Sequence, residues 1–322
     1  MTQKEIQRKI RELKTLASQH RLDINEDLSR IVSKLDGNRT DDISPWQRVE
    51  TARHPQRPTT LEYIQTISDE YVELFGDRLF ADDPAMVGGI ARIGGIAFTF
   101  VGHQKGKNMK ENLRRNYGMA QPEGYRKALR LAHQAEKFGR PLLTFVDTMG
   151  AYPGISSEER GISEAIARNM KEFSVLRTPI ISTIIGEGGS GGAIGIAVAD
   201  RVFMLENAVY SVISPEGCAS ILLRDTKKAQ LAAGLMKMTA RDLYSFGIVD
   251  GVITEPQGGA HNDIDFVAAR LKETILSNYR ELASKKTEQL LKDRSRRWLS
   301  FGDFYDPEEK QEGFLKKIFP WM

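Results

Sequence analysis

A chain of 322 residues, 40% apolar and 28% charged, is long enough to bury a large core and lies between one big domain and two of ordinary size. Its 46 Lys and Arg against 43 Asp and Glu leave a formal net charge of +3, without the cation excess that a nucleic-acid groove or an anionic membrane surface requires. One cysteine, Cys218, excludes an internal disulfide, and histidines at 20, 54, 103, 133 and 261 offer no zinc-ligand spacing, so no metal is expected. No run of 18 apolar residues occurs and the first residues lack a signal-like apolar stretch, so the expected location is cytoplasmic, with no membrane partner.

Ile6, Ile10, Leu13 and Leu16, then Leu28, Ile31, Val32 and Leu35, recur at helical spacing and predict an N-terminal helical hairpin whose narrow apolar stripe packs between subunits or domains or on the chain's own core. Ser44-Pro45 reads as an N-cap followed by a proline in the first turn. Thr59 and Glu62 have capping-box spacing, and Leu61, Ile64, Ile67 and Tyr71 continue that helix toward a stop at Gly76. The period then becomes extended: Met86–Ile93 and Ile96–Gly102 flank Gly94-Gly95, a connection suited to a tight hairpin. From Pro122 onward, helical segments (122–138, 159–176, 191–199) alternate with short apolar runs (141–146, 179–185, 201–205), the pattern of a sheet covered on both faces. Ser214-Pro215 starts another helix, Thr239 with Asp242 forms a further capping box, and 248–253 reads as a late strand. Beyond Gly258-Gly259 the chain turns helical and charged. Arg294, Arg296 and Arg297 read as a solvated helix end, ahead of an aromatic tail packed on the body or on a neighbouring chain.

Six of the 28 glycines fall within positions 186–195, after an apolar run and before a helix. Glycine lets other groups approach the backbone closely, and the unpaired N–H groups of a helix N-terminus are donors to negative charge. Such a turn is a candidate cradle for an anion or oxyanion, with Gly188, Gly189, Gly191 and Gly192 as its donor and loop positions. A second turn, Asp147 to Gly154, follows the preceding apolar strand. Ligand sites of α/β sheets lie beyond the carboxyl ends of strands, so Gly150 and Ala151 could share the crevice. Asp147 is a candidate base, but a carboxylate at a strand end more often accepts from nearby backbone N–H groups.

Three further patterns compete. Gly188-Gly189-Ser190-Gly191-Gly192 satisfies G-x-S-x-G with His261 downstream, which leaves a serine hydrolase using Ser190 as the alternative. Met236-Lys237-Met238 matches the surroundings of a biotinylated lysine, but its neighbourhood reads as helices rather than the strands that a biotin module needs. No lysine follows the glycines, so a P-loop nucleotide site fails.

The stretches Ala52-Arg53-His54-Pro55-Gln56-Arg57-Pro58, Gly102 to Gly106, Pro122 to Ala128, Gly150 to Gly154, Gly186 to Gly192 and Ser211 to Ser220 closely resemble the alpha subunits of bacterial acetyl-CoA carboxylase carboxyltransferase, over most of the chain. The resemblance implies an α/β, crotonase-like (ClpP/crotonase) fold of repeated ββα units, with a helical extension at 1–58, a carboxyltransferase core at 59–256 and a helical C-terminal region and tail at 257–322. It implies transfer of a carboxyl group from carboxybiotin on a carrier protein to acetyl-CoA, giving malonyl-CoA, the committed step of fatty acid synthesis. It further implies a zinc-ribbon-bearing beta partner in an alpha2beta2 assembly, a biotin carboxyl carrier protein and a biotin carboxylase, with no covalent cofactor on this chain. The biotin-side oxyanion donors carry over to Gly191 and Gly192, with Gly188, Gly189, Gly150 and Ala151 in support. Met149 stands where the family usually has proline, and Ala120-Gln121 replaces a more proline-rich stretch.

Overall fold

A computed structural model describes residues 43–302. The predicted N-terminal hairpin and the tail from Phe304 onward lie outside the described residues. Helix α1 (Pro45–Ala52) starts as its sequence dictates: the Gln47 N–H donates to Ser44 Oγ, and the Ser44 N–H donates back to Gln47 Oε1 at 2.7 Å. Helix α2 (Thr60–Ile67) is capped by the Thr59 N–H donating to Glu62 at 2.8 Å. It then stops, well short of the expected Gly76. Ser68 is extended, and Glu70–Glu73 forms strand β1, with Tyr71 opposite Ala91. The β-prone Tyr71-Val72 pair finds a ladder that a longer helix would forgo. Gly89 makes the approach possible, because a Cβ there would run into the Val72 carbonyl.

Strands β2 (Met86–Ile93) and β3 (Ile96–His103) form the expected hairpin, and Gly94 and Gly95 both have positive φ, 58° and 80°. Helix α3 (Met109–Arg114) leads to α4 (Pro122–Lys137) and strand β4 (Leu142–Thr148). The helix expected over 159–176 is broken: α5 (Ile155–Glu159) and α6 (Ile162–Val175) are separated at Gly161, whose φ of 79° a helix cannot accommodate. Strand β5 (Ile180–Gly189) outruns its apolar stretch and takes in three of the clustered glycines before α7 (Ser190–Ala197) begins. Strands β6 (Arg201–Leu205) and β7 (Val209–Ser211), helices α8 (Pro215–Leu222), α9 (Ala229–Leu235) and α10 (Ala240–Ser245), strand β8 (Gly251–Ile253) and helices α11 (Ile264–Ala283) and α12 (Thr287–Leu299) complete the order. The late strand is shorter than expected, with Ile248 to Asp250 spent on the turn out of α10.

One sheet runs β1-β2-β3-β4-β5-β6-β8. It is antiparallel from β1 to β3 and parallel from β3 onward. All seven residues of β4 are buried, as expected for a strand roofed on both faces. Helices α4, α6 and α7 pack together on the sheet, while α2 packs with α11. Strand β5 forks: Ile181–Ile184 pair with β6, whereas Glu187–Gly189 pair with β7. Val209 of β7 belongs to a small separate core with Val49, Ala52 and Met238; the main core includes Val267, Leu271 and Ile275 of α11.

Of the arginine cluster only Arg296 is exposed as expected of a solvated helix end; Arg294 and Arg297 are not. Arg294 is 1% exposed, forks onto both Asp200 oxygens at 2.8 and 2.7 Å, and donates to the carbonyls of Phe173, Leu176 and Thr178. Arg297 pairs with Asp250 at 2.6 Å. Among the described residues no helix is long and apolar enough to cross a membrane.

Candidate functional site at the carboxyl ends of the central strands

Beyond the ends of β4 and β5 lies a cleft of about 800 Å³. Gly150, Ala151, Ser190, Gly191 and Gly192 share its lining, so the two glycine-rich turns face one space. Met149, Ile162, Ile166, Val212 and Ile213 form apolar walls, and Arg53, Glu158 and Glu216 supply the charge.

The turn between β5 and α7 rests on a single residue. Ser190 has a φ of 52°, a left-handed conformation that is costly without a glycine. Ser190, Gly191 and Gly192 open α7, so their N–H groups precede the first i→i−4 bond and have no acceptor within the helix. A Cβ at Gly191 would meet only Ile166, at 3.8 Å, whereas one at Gly192 would run into Gly150 and come within 2.5 Å of the Ala151 nitrogen. Gly192 thus lets the two turns touch, and Gly191 keeps the cleft floor open. The Gly150 N–H donates to Thr148 Oγ1 at 3.1 Å. Gly188 and Gly189 lie in β5, off the cleft lining: a Cβ at Gly188 would come within 2.7 Å of the Tyr210 ring, and one at Gly189 would strike the Met149 carbonyl.

Beneath the turn, the fully buried Tyr125 donates its hydroxyl to the Gly192 carbonyl at 3.2 Å, and the His103 ring packs edge-on against it. Burial, helped by the charge of Lys105, pushes the His103 imidazole down to about 3. An unfolded histidine titrates near 6.5, so the unfolded chain binds the extra proton between those values. This group's contribution to stability is therefore expected to be intact above about pH 6.5 and to be lost as pH falls from there toward 3. His103→Gln should flatten that part of the stability profile, as read by chemical denaturation at stepped pH.

An ionic network sequence reasoning did not assemble supports the outer end of β5. Lys105 bridges Asp147 at 2.8 Å and Glu187 at 3.0 Å. Asp147 also accepts the Glu187 N–H at 2.9 Å, and Gly186 makes room for that carboxylate. Asp147 is therefore an acceptor at a strand end, with Oδ1 taking both contacts. Burial alone would lower the Lys105 ammonium, but the two carboxylates outweigh it and hold it above its usual range. Arg53, at the end of α1, donates Nε to Glu187 at 2.7 Å and its two Nη groups to Glu216 of α8 at 2.6 and 3.3 Å. Partners lying 82, 134 and 163 residues apart leave no local spacing to read.

The backbone at Ser190 has the bend of a nucleophile elbow, but the base is missing from the cleft wall. His261 stacks on His54, ring centroids 3.7 Å apart, and neither histidine lines the cleft. Lys237 sits between α9 and α10 with no flanking strand pair, so it does not have the setting of a biotinylated lysine.

The family model for acetyl co-enzyme A carboxylase carboxyltransferase-like proteins matches residues 2–302. An acetyl-coenzyme A carboxylase carboxyl transferase subunit alpha from Treponema denticola is 53% identical over 304 residues, covering 94% of this chain and 99% of that one. Its counterpart from Staphylococcus carnosus is 51% identical over 304 residues, covering 93% and 96%. Among solved structures, a transcarboxylase 12S with hydrolysed methylmalonyl-coenzyme A bound superposes with a TM-score of 0.58 at 20% identity, spanning 77% of this chain but 46% of that one. A Pseudomonas malonate decarboxylase hetero-tetramer in complex with coenzyme A superposes with a TM-score of 0.57 at 16% identity, spanning 80% and 97%. The fold is the α/β crotonase-like one of these carboxyltransferases.

Proposed function

Because the chain belongs to the family of acetyl-CoA carboxylase carboxyltransferase alpha subunits, a transferase subunit that works with a beta subunit, we propose that its cleft receives the carboxybiotin of the carrier protein. The observation that carries this reading is the meeting of the α7 first-turn amides with the Gly150-Ala151 turn on the cleft floor. When the ring N–carboxylate bond of carboxybiotin breaks, the electron pair stays on the ring nitrogen and spreads onto the ureido oxygen, and CO2 leaves neutral. The ureido nitrogen then takes the α-proton of acetyl-CoA, and the resulting enolate attacks CO2 to give malonyl-CoA and biotin. The ureido oxygen is where charge develops, and fixed amides stabilise it without titrating or reorganising. Gly191 and Gly192 are the proposed donors; one such donor is worth about 3–4 kcal/mol of barrier. Ala151 and Gly150 shape the facing turn, and Gly188 and Gly189 act through the close packing of β5.

Two apolar residues of the cleft lining, Met149 and Val212, are exposed, which fits a surface closed by the beta subunit. The full proposed assembly is alpha2beta2, with a zinc ribbon on beta, served by a biotin carboxyl carrier protein and a biotin carboxylase; residues 59–256 are its carboxyltransferase core.

The test is reconstitution: with the beta subunit and free biotin, the chain should drive malonyl-CoA decarboxylation, and alone it should not. Activity of the isolated chain overturns the shared site. The hydrolase alternative is settled by Ser190→Ala, which should leave the reconstituted rate within about threefold because its effect is confined to backbone strain; a hydrolase would lose all activity.

A further inference from the structure

Among the described residues lining the cleft, Arg53 carries the sole positive charge, and each of its three guanidinium nitrogens donates to a carboxylate. Glu187 holds the guanidinium from the side of the sheet. Glu216, in the first turn of α8, holds it from the cleft side with both carboxylate oxygens. The two carboxylates differ in setting: the Glu187 side chain is 9% exposed, the Glu216 side chain 39%. A cation turned toward the cleft would meet a carboxylate arriving on carboxybiotin. Here the outer carboxylate occupies it first.

Resting on the reading of the cleft given above, we infer that Glu216 is a positioning residue that masks Arg53, so that carboxybiotin finds amide donors for its ureido oxygen but no unpaired cation from this chain for its carboxylate. The chemistry favours this arrangement. Negative charge sits on the carboxylate before the ring N–C bond breaks and on the ureido nitrogen and oxygen afterward, while CO2 leaves neutral. A salt bridge to the carboxylate would stabilise the bound substrate and vanish in the transition state, tightening binding and slowing the step. Donors aimed at the ureido oxygen act in the opposite sense. The hydrogen bond from Arg53 holds Glu216 below the usual carboxylate range, so the mask stays charged at neutral pH.

The experiment uses the reconstituted alpha–beta complex with Glu216→Ala. In the forward direction, with isolated carboxylated carrier protein, kcat and KM should fall together, by about fivefold, the scale of one partly exposed ion pair. In the reverse direction, with malonyl-CoA and free biotin, whose ring is neutral, the KM for biotin should stay within about twofold. Glu216→Gln keeps one acceptor oxygen for Arg53 and should shift the forward constants the same way, but less. Unchanged forward constants in both variants overturn the mask, as does a biotin KM that moves in step with them, the mark of a merely loosened cleft. If the alanine variant does not fold, the glutamine variant decides by the same two readings. An unchanged Glu216→Ala enzyme beside an inactive Gly192→Val enzyme removes the mask alone, whereas a fully active Gly192→Val enzyme removes the reading of the cleft itself.

Discussion

Replacing Gly192 with valine is expected to lower reconstituted carboxyl transfer by about a hundredfold or more, the scale of losing one fixed oxyanion donor, while the chain still folds. Gly192 does not have positive φ, so backbone strain is not the cause. The cause is space. Even the first carbon of a side chain would collide with Gly150 and reach 2.5 Å from the Ala151 nitrogen, and these backbone atoms cannot rotate aside. The two turns must separate, and donor geometry shifts with them. Gly191→Ala is the contrast: its added carbon has only Ile166 nearby, at 3.8 Å, so it narrows the cleft without parting the turns. It should raise the KM for biotin more than it lowers kcat. Malonyl-CoA decarboxylation with free biotin reads both variants, and circular dichroism checks the fold. A Gly192→Val complex within threefold of wild type ends the argument.

Arg294→Met is expected to be the most damaging single change to stability. Methionine fills the space of the arginine stem but leaves Asp200, 4% exposed, without its guanidinium, and frees the carbonyls of Phe173, Leu176 and Thr178. Breaking a buried pair by removing one partner costs about 3–5 kcal/mol. For a chain of this size that lowers the melting temperature by roughly 4–7 °C, which scanning calorimetry at fixed scan rate will register. Adding Asp200→Asn removes the stranded charge and should recover part of the loss, since the neutral amide is cheaper to bury. If the single variant melts within 2 °C of wild type, Arg294 is not the clasp that its contacts indicate.

The parts of the fold that were legible in the sequence are those whose causes are local. Ser44-Pro45, Thr59 with Glu62, and Thr239 with Asp242 each cap the helix they announce, and Gly94-Gly95 makes the hairpin, because a cap or a two-residue turn is complete within a few residues. The glycine cluster flagged the cleft because close approach leaves a compositional trace. Strand β1 was not legible: Tyr71 fits a helical stripe, and only its pairing with Ala91, across the groove kept open by Gly89, makes it extended. Arg294 fails for the same reason in reverse, since an arginine run looks solvated until Asp200, 94 residues earlier, is seen beside it. The Arg53 bridge joins segments that only the folded sheet brings together.

The fork in β5 has a mechanical consequence. The inner half of the strand is paired with β6 in the main core, while the half that ends at Gly189 is held by one β4 register pair, Thr148 opposite Gly188, by the Lys105 network and by β7, whose Val209 belongs to the small separate core. Hydrogen exchange should therefore show Glu187 to Gly189 and Val209 to Ser211 opening together, at milder conditions than Ile181 to Ile184. Trimming Val49 or Met238 would then soften the rim of the cleft while the body of the molecule stays firm.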